Sequence, residues 1–200
     1  MLTYADIDAS KRAVVFELDN VLYPEKDYLL QVYYLFASFV EYTEAYPPAE
    51  ELIAFFKRAY EMAGPADIFD KASAAFGLEE KYRNNFARLH THANLPLKLL
   101  LYKESLQLLR ELSDHNKHIF IVTGGDPLQQ LNKIRQIEWQ GLEHSLRVYF
   151  ADEVKPKPDP DVLYTVMSEH NLRREDVLVA GVAPFDEIFA RNAGIDFVRI

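Results

Sequence analysis

The sequence predicts an α/β protein, with a doubly wound, parallel-sheet (Rossmann-like) core interrupted by an inserted all-α helical bundle. Three observations carry this. Short apolar runs rich in β-branched residues recur, one near the N-terminus and the others after residue 117. Between the first and second of these runs the pattern is helical only. Polar or charged residues follow four of the runs, at the place where open α/β sheets bind ligands.

The first run, Ala13-Val14-Val15-Phe16, opens a strand expected over Arg12–Leu18. Its length, and the turn signals that follow it, read as a strand buried on both faces. Glu17 and Asp19 come next, two apart, then Asn20 and Pro24. The period of two directs both acids to one side of the chain.

From Tyr28 the period changes. Leu29, Val32, Tyr33, Phe36, Phe39 and Val40 recur at helical spacing, predicting a helix to about Tyr46 that Pro47-Pro48 ends. A second helix is expected over Ala49–Met62, closed by Gly64-Pro65, and two more over Ala66–Phe76 and Glu79–His92, separated by Gly77. The aromatic residues crowded into this stretch read as core packing.

Beyond Asn94-Leu95-Pro96 strands and helices alternate. Helices are expected over Glu104–His115, Pro127–Ile137, Pro160–Asn171 and Pro184–Ala193, and strands over His118–Val122, Leu146–Phe150, Asp176–Ala180 and Asp196–Ile200. That alternation implies βαβ units and a parallel sheet. The expected organisation is a core of residues 1–24 plus 96–200 and a helical domain of residues 25–95, inserted directly after the first acids, where it would serve as a lid.

Bulk properties exclude several function classes. Net charge is −9 and no Lys/Arg run is present, so no nucleic-acid face is expected. With no cysteine, thiolate catalysis and zinc–thiolate sites are ruled out. No apolar stretch approaches the length of a membrane span, and the first residues lack the pattern of a signal peptide, so a cytoplasmic protein is expected.

Four strand ends converge on one sheet edge in this reading. They bring Glu17 and Asp19, then Thr123 with Gly124 and Gly125, then Lys157 within Lys155-Pro156-Lys157-Pro158, then Gly181 to Asp186. Carboxylates, a hydroxyl with glycine amides, and a lysine suit phosphoryl transfer. One carboxylate attacks, a second moves the proton, and the donors hold phosphate oxygens. Asp152 and Glu153 precede the lysine and read as a solvated turn or an outer acid. His90 and His92 do not share a helical face and are not expected to bind a metal.

In this order and spacing the sequence resembles the haloacid dehalogenase (HAD)-like hydrolase superfamily, chiefly its phosphatase branch with a helical cap. Phe16 to Pro24 is similar to the family's first motif, Asp-x-Asp-x-Thr or Val. Ile121 to Gly125 resembles the second motif, Lys157-Pro158-Asp159-Pro160 the third, and Gly181 to Asp186 the fourth, normally Gly-Asp-x-x-x-Asp. The resemblance implies catalytic roles for Glu17, Asp19 and Lys157, with Asp19 as the general acid/base. It implies phosphate binding by Thr123, Gly124 and Lys157, and an Mg²⁺ site at Glu17, Asp19 and Asp186. A small phosphorylated molecule, or phosphate itself, is the implied ligand.

Two positions depart from the family pattern. Glu17 stands where the family has its nucleophilic Asp, and Val182 where it has its main metal-binding Asp. The extra methylene of Glu17 moves its carboxylate by roughly 1.5 Å, and a misplacement of about 1 Å can cost on the order of 10²-fold in rate. Val182 removes a ligand, so any Mg²⁺ site is weakened. Three readings follow. One is a pseudoenzyme, a catalytically impaired phosphatase that keeps phosphate binding or takes a protein partner. The second is an active Mg²⁺-dependent phosphohydrolase of a small phosphorylated metabolite, with Glu17 as nucleophile. The third is a metal-free dehalogenase, which Val182 suits but Glu17 and Asp19 do not.

Overall fold

The computed structural model describes residues 2–200. Five strands form one all-parallel sheet: β1 (Ala13–Phe16), β2 (His118–Thr123), β3 (Leu146–Phe150), β4 (Val177–Gly181) and β5 (Asp196–Arg199), in the order β3-β2-β1-β4-β5. β1 is central. Val15 pairs with Phe120 on one side and with Val179 on the other. Every residue of β1 and β4 is buried, which explains their continuous apolar runs. β3 and β5 are the edges, and only there do exposed charges such as Asp196 enter a strand.

Connections run from β1 outward to β2 and β3, then return to β4 and β5. The direction reverses at β1, which places a crevice beside its carboxyl end. One face of the sheet presents Val15, Phe120, Val122 and Val179. Packed there are Val162, Leu163 and Val166 of α7 (Asp161–Glu169), with Phe189, Ala190 and Ala193 of α8 (Phe185–Ala193). The same alternation turns Val14 and Phe16 to the opposite face. Helix α5 (Lys103–Asp114) packs against β2 and buries Leu108, Leu109 and Leu112. Gly194 closes α8 in the left-handed region (φ +69°), where it bears no Cβ penalty.

Two compact units divide the chain. The first comprises residues 1–25, 99–130 and 137–200; the second comprises residues 26–98 and 131–136. The second unit is helical. It holds α1 (Glu25–Glu44) from Lys26 onward, α2 (Ala49–Ala63), α3 (Ile68–Phe76), α4 (Arg83–His92) and the last turns of α6 (Pro127–Gln136). Its core is aromatic. The Tyr33 and Phe56 rings stack at 4.9 Å, and Phe36 meets Phe86 edge-on at 4.9 Å, with Phe69 against both Phe36 and Phe86.

Element ends differ from the sequence reading by a few residues. The helix expected over Glu79–His92 is a 3₁₀ turn (Glu80–Tyr82) followed by α4, because the Tyr82 N–H reaches only three residues back, to the Glu79 carbonyl. β1 ends at Phe16, yet the Glu17 N–H still donates to the Ala180 carbonyl at 3.3 Å. Among the described residues no helix is long and apolar enough to cross a membrane.

Candidate active site

The first unit carries a concavity of about 450 Å³ at the carboxyl edge of the sheet. Glu17, Asp19, Gly124 and Lys157 line it together, with Asp152 and Gln130. All four sequence motifs thus contribute to one surface, the fourth through Phe185. Thr123 lies buried at the end of β2, and Asp186 is buried at the start of α8.

Lys157 joins the motifs. Its ammonium, 3% exposed, donates to Glu17 Oε2 at 2.5 Å and to Asp186 Oδ1 at 3.1 Å. It also sits 4.7 Å from the centre of the Phe189 ring, whose electron-rich face favours a cation. A buried ammonium requires such partners. The second oxygen of each acid is engaged as well. Glu17 Oε1 accepts the Leu18 N–H at 2.7 Å, so the side chain curls back onto its own strand end. Asp186 Oδ2 accepts the Val182 N–H at 2.8 Å, which ties the β4–α8 turn together. Gly181 is forced by the same turn: a Cβ there would lie 2.5 Å from Asp186 Oδ2 and 2.6 Å from its Cβ.

Asp19 is oriented at both oxygens. Oδ1 accepts the Tyr23 hydroxyl at 2.6 Å and Oδ2 accepts the Gln130 amide at 3.0 Å. The same amide holds the Gly124 carbonyl at 2.8 Å. Asp152 Oδ2 accepts the Gly125 N–H at 2.8 Å, fixing the glycine turn after β2. The Thr123 hydroxyl is 1% exposed and has no hydrogen-bond partner among the described residues.

Sequence reasoning missed Gln130, Asp126 and Glu25, which also line the concavity. Asp126 had a readable signal. It precedes Pro127, and its Oδ1 accepts the Leu128 and Gln129 N–H groups at 2.8 and 3.2 Å as the cap of α6. Gln130 had none, because its role depends on where the first turn of α6 meets β1. Asp152 lines the site while staying exposed on the 3₁₀ turn Ala151–Glu153.

As arranged, these residues would offer Mg²⁺ a weakened site. An octahedral magnesium site needs oxygen ligands at near-ideal angles. Here each oxygen of Glu17 and of Asp186 already accepts one bond, from Lys157 or a backbone N–H, and Lys157 competes for the same acids. Val182 offers no side-chain donor. Among the described residues no group of three or more His, Cys, Asp or Glu side chains could hold a metal ion.

The family model for haloacid dehalogenase-like hydrolases matches residues 14–200. No curated protein matches the sequence significantly. Solved structures do. A putative β-phosphoglucomutase from Thermotoga maritima aligns with TM-score 0.64 and 19% identity, over 92% of this chain and 82% of that one. A putative haloacid dehalogenase-like hydrolase from Bacteroides fragilis aligns with TM-score 0.59 and 18% identity, over 94% and 86%. The L-2-haloacid dehalogenase from Xanthobacter autotrophicus, with chloropropionic acid covalently bound, aligns with TM-score 0.57 and 21% identity, over 95% and 77%. At these identities the likeness is one of fold.

Proposed function

This chain belongs to the haloacid dehalogenase-like hydrolase family, and we propose that it is a phosphatase-type member whose hydrolytic centre is disabled while its phosphate-binding site is kept. Its ligand is a small phosphorylated molecule, or phosphate itself.

One observation carries the reading. Lys157 is shared between Glu17 and Asp186, and every oxygen of those two acids already has a donor. A carboxylate with both oxygens engaged is a weakened nucleophile. With the Mg²⁺ site weakened, Lys157 is the cation left to screen carboxylate from phosphate. Val182, 38% exposed, adds an apolar group where the fourth motif otherwise carries an acid. The binding half of the reading rests on Lys157, the glycine turn fixed by Asp152, and the buried Thr123 hydroxyl at the end of β2, which has no partner among the described residues.

The test is phosphatase activity with excess Mg²⁺ on a panel of small phosphate esters, for the native protein and for a Glu17→Asp, Val182→Asp variant. Turnover by the variant alone is the expected result. Robust turnover by the native protein would overturn the reading and support an active phosphohydrolase with Glu17 as nucleophile. In that case Glu17→Ala must abolish the activity.

A further inference from the structure

We infer that the Glu17 carboxylate is itself the resident anion of the phosphate cradle, so that ligand binding requires Glu17 to leave. The inference rests on reading this site as an oxyanion cradle and adds what regulates entry to it.

The geometry starts at the end of β1. A cradle for a phosphate oxygen needs N–H donors and a cation aimed at one point. Two such donors converge here, the Leu18 N–H and the Lys157 ammonium, and each is spent on an oxygen of Glu17, at 2.7 and 2.5 Å. The carboxylate of Glu17 bridges them as a bound oxyanion would. An Asp at this position is one methylene too short to reach forward and fold back onto the next N–H of its own chain. The longer side chain makes the self-contact available.

The surroundings favour the occupied state. Lys157 is almost fully buried, and its other anionic partner is Asp186. Besides Glu17, the concavity is lined by Asp19, Glu25, Asp126 and Asp152, against the single ammonium of Lys157. An entering anion is therefore repelled everywhere except at Lys157 and the strand-end N–H groups, and Glu17 holds that place. Thr123, at the end of β2, keeps a buried hydroxyl that the Glu17 carboxylate does not engage.

The class of ligand is thus a phosphate or a similar tetrahedral oxyanion, bound in competition with a side chain of the protein. The Glu17 carboxylate must rotate toward solvent, to which its side chain is 16% exposed. Binding and Glu17 displacement are one equilibrium, so any partner that stabilises the displaced side chain raises phosphate affinity by the same factor.

The experiment measures inorganic phosphate binding in metal-free buffer by isothermal calorimetry, and by the phosphate-induced rise in Tm, on native protein, Glu17→Ala and Glu17→Gln. Expected is an affinity gain of about tenfold or more for Glu17→Ala, since a competing charge has gone. A smaller gain is expected for Glu17→Gln, which keeps the Leu18 contact without the charge. Adding Lys157→Met to Glu17→Ala must cancel the gain. Equal phosphate affinity in native and Glu17→Ala protein, both folded, overturns the inference. If the Glu17→Asp, Val182→Asp variant then hydrolyses phosphate esters, the cradle is real and only its occupancy by Glu17 is wrong. If that variant is silent too, the reading of the site falls with the inference.

Discussion

Lys157 and Glu17 are 140 residues apart in sequence and 2.5 Å apart in space, with the lysine side chain 3% exposed and the glutamate side chain 16%. The pair fastens the loop after β3 to the end of the central strand. Asp186 accepts a second bond from the same ammonium, which brings α8 into the network. Breaking one partner of such a buried pair leaves the others uncompensated, at about 3–5 kcal/mol. Lys157→Met leaves Glu17 and Asp186 facing one another with no cation between them. A loss of that size is expected in urea denaturation, with an unchanged m-value.

Gly181 and Asp186 are coupled by contact. A Cβ on Gly181 would overlap Asp186 at 2.5–2.7 Å, distances that real Cβ atoms do not show. Gly181→Ala must therefore push Asp186 away from the Val182 N–H and from Lys157. Strain and lost bonds together should cost about 1–3 kcal/mol. The same shift should raise phosphate affinity less than Glu17→Ala does, because Glu17 keeps Lys157. Thermal unfolding and calorimetry on the variant check both statements.

Much of the core was legible because its signals are local. Four apolar runs followed by polar residues located the strand ends, and the spacing of Glu17 and Asp19 directed both to one crevice, where both are found. The polar contacts that decide the chemistry were not legible. That Glu17 turns back onto the Leu18 N–H is a choice of side-chain rotamer. That Gln130 spans Asp19 and the Gly124 carbonyl depends on how α6 starts. Nor did helical periodicity tell that residues 131–136 group with the helical unit, since α6 is continuous through that point. Asn132 explains the grouping, with its amide donating to the Ala93 carbonyl at 3.1 Å and to the Tyr28 hydroxyl at 3.2 Å.

In the helical unit, Phe36 is fully buried and touches Phe56, Phe69 and Phe86. Truncation leaves a cavity that surrounding rings cannot fill without leaving their rotamers. Phe36→Ala is expected to cost about 3–5 kcal/mol. Phe36→Leu, which keeps most of the volume, should cost less than half as much. Denaturant titrations of both variants, followed by far-UV circular dichroism, decide this.

His90 supplies a pH dependence whose sign is fixed by its surroundings. Burial lowers its pKa below the usual 6.5, and the Lys133 charge acts in the same direction, while its contact with the Phe86 carbonyl opposes them. The half-buried ring packs against Phe86 at 4.6 Å, which limits the water a charged imidazole can keep. The folded chain therefore binds its proton at lower pH than the unfolded chain. Between those two values the unfolded state carries more protons, so stability rises with pH. Above the unfolded value of 6.5 the ring is neutral in both states and His90 contributes no slope. As pH falls through that value toward the folded pKa, stability must be lost. His90→Gln removes the titration while keeping a polar group near the Phe86 carbonyl. The expected outcome is a native stability curve that declines below about pH 6.5 and a flatter curve for His90→Gln, measured by urea titration at a series of pH values. Parallel curves for the two proteins would show that His90 is solvated and that the aromatic core does not enclose it.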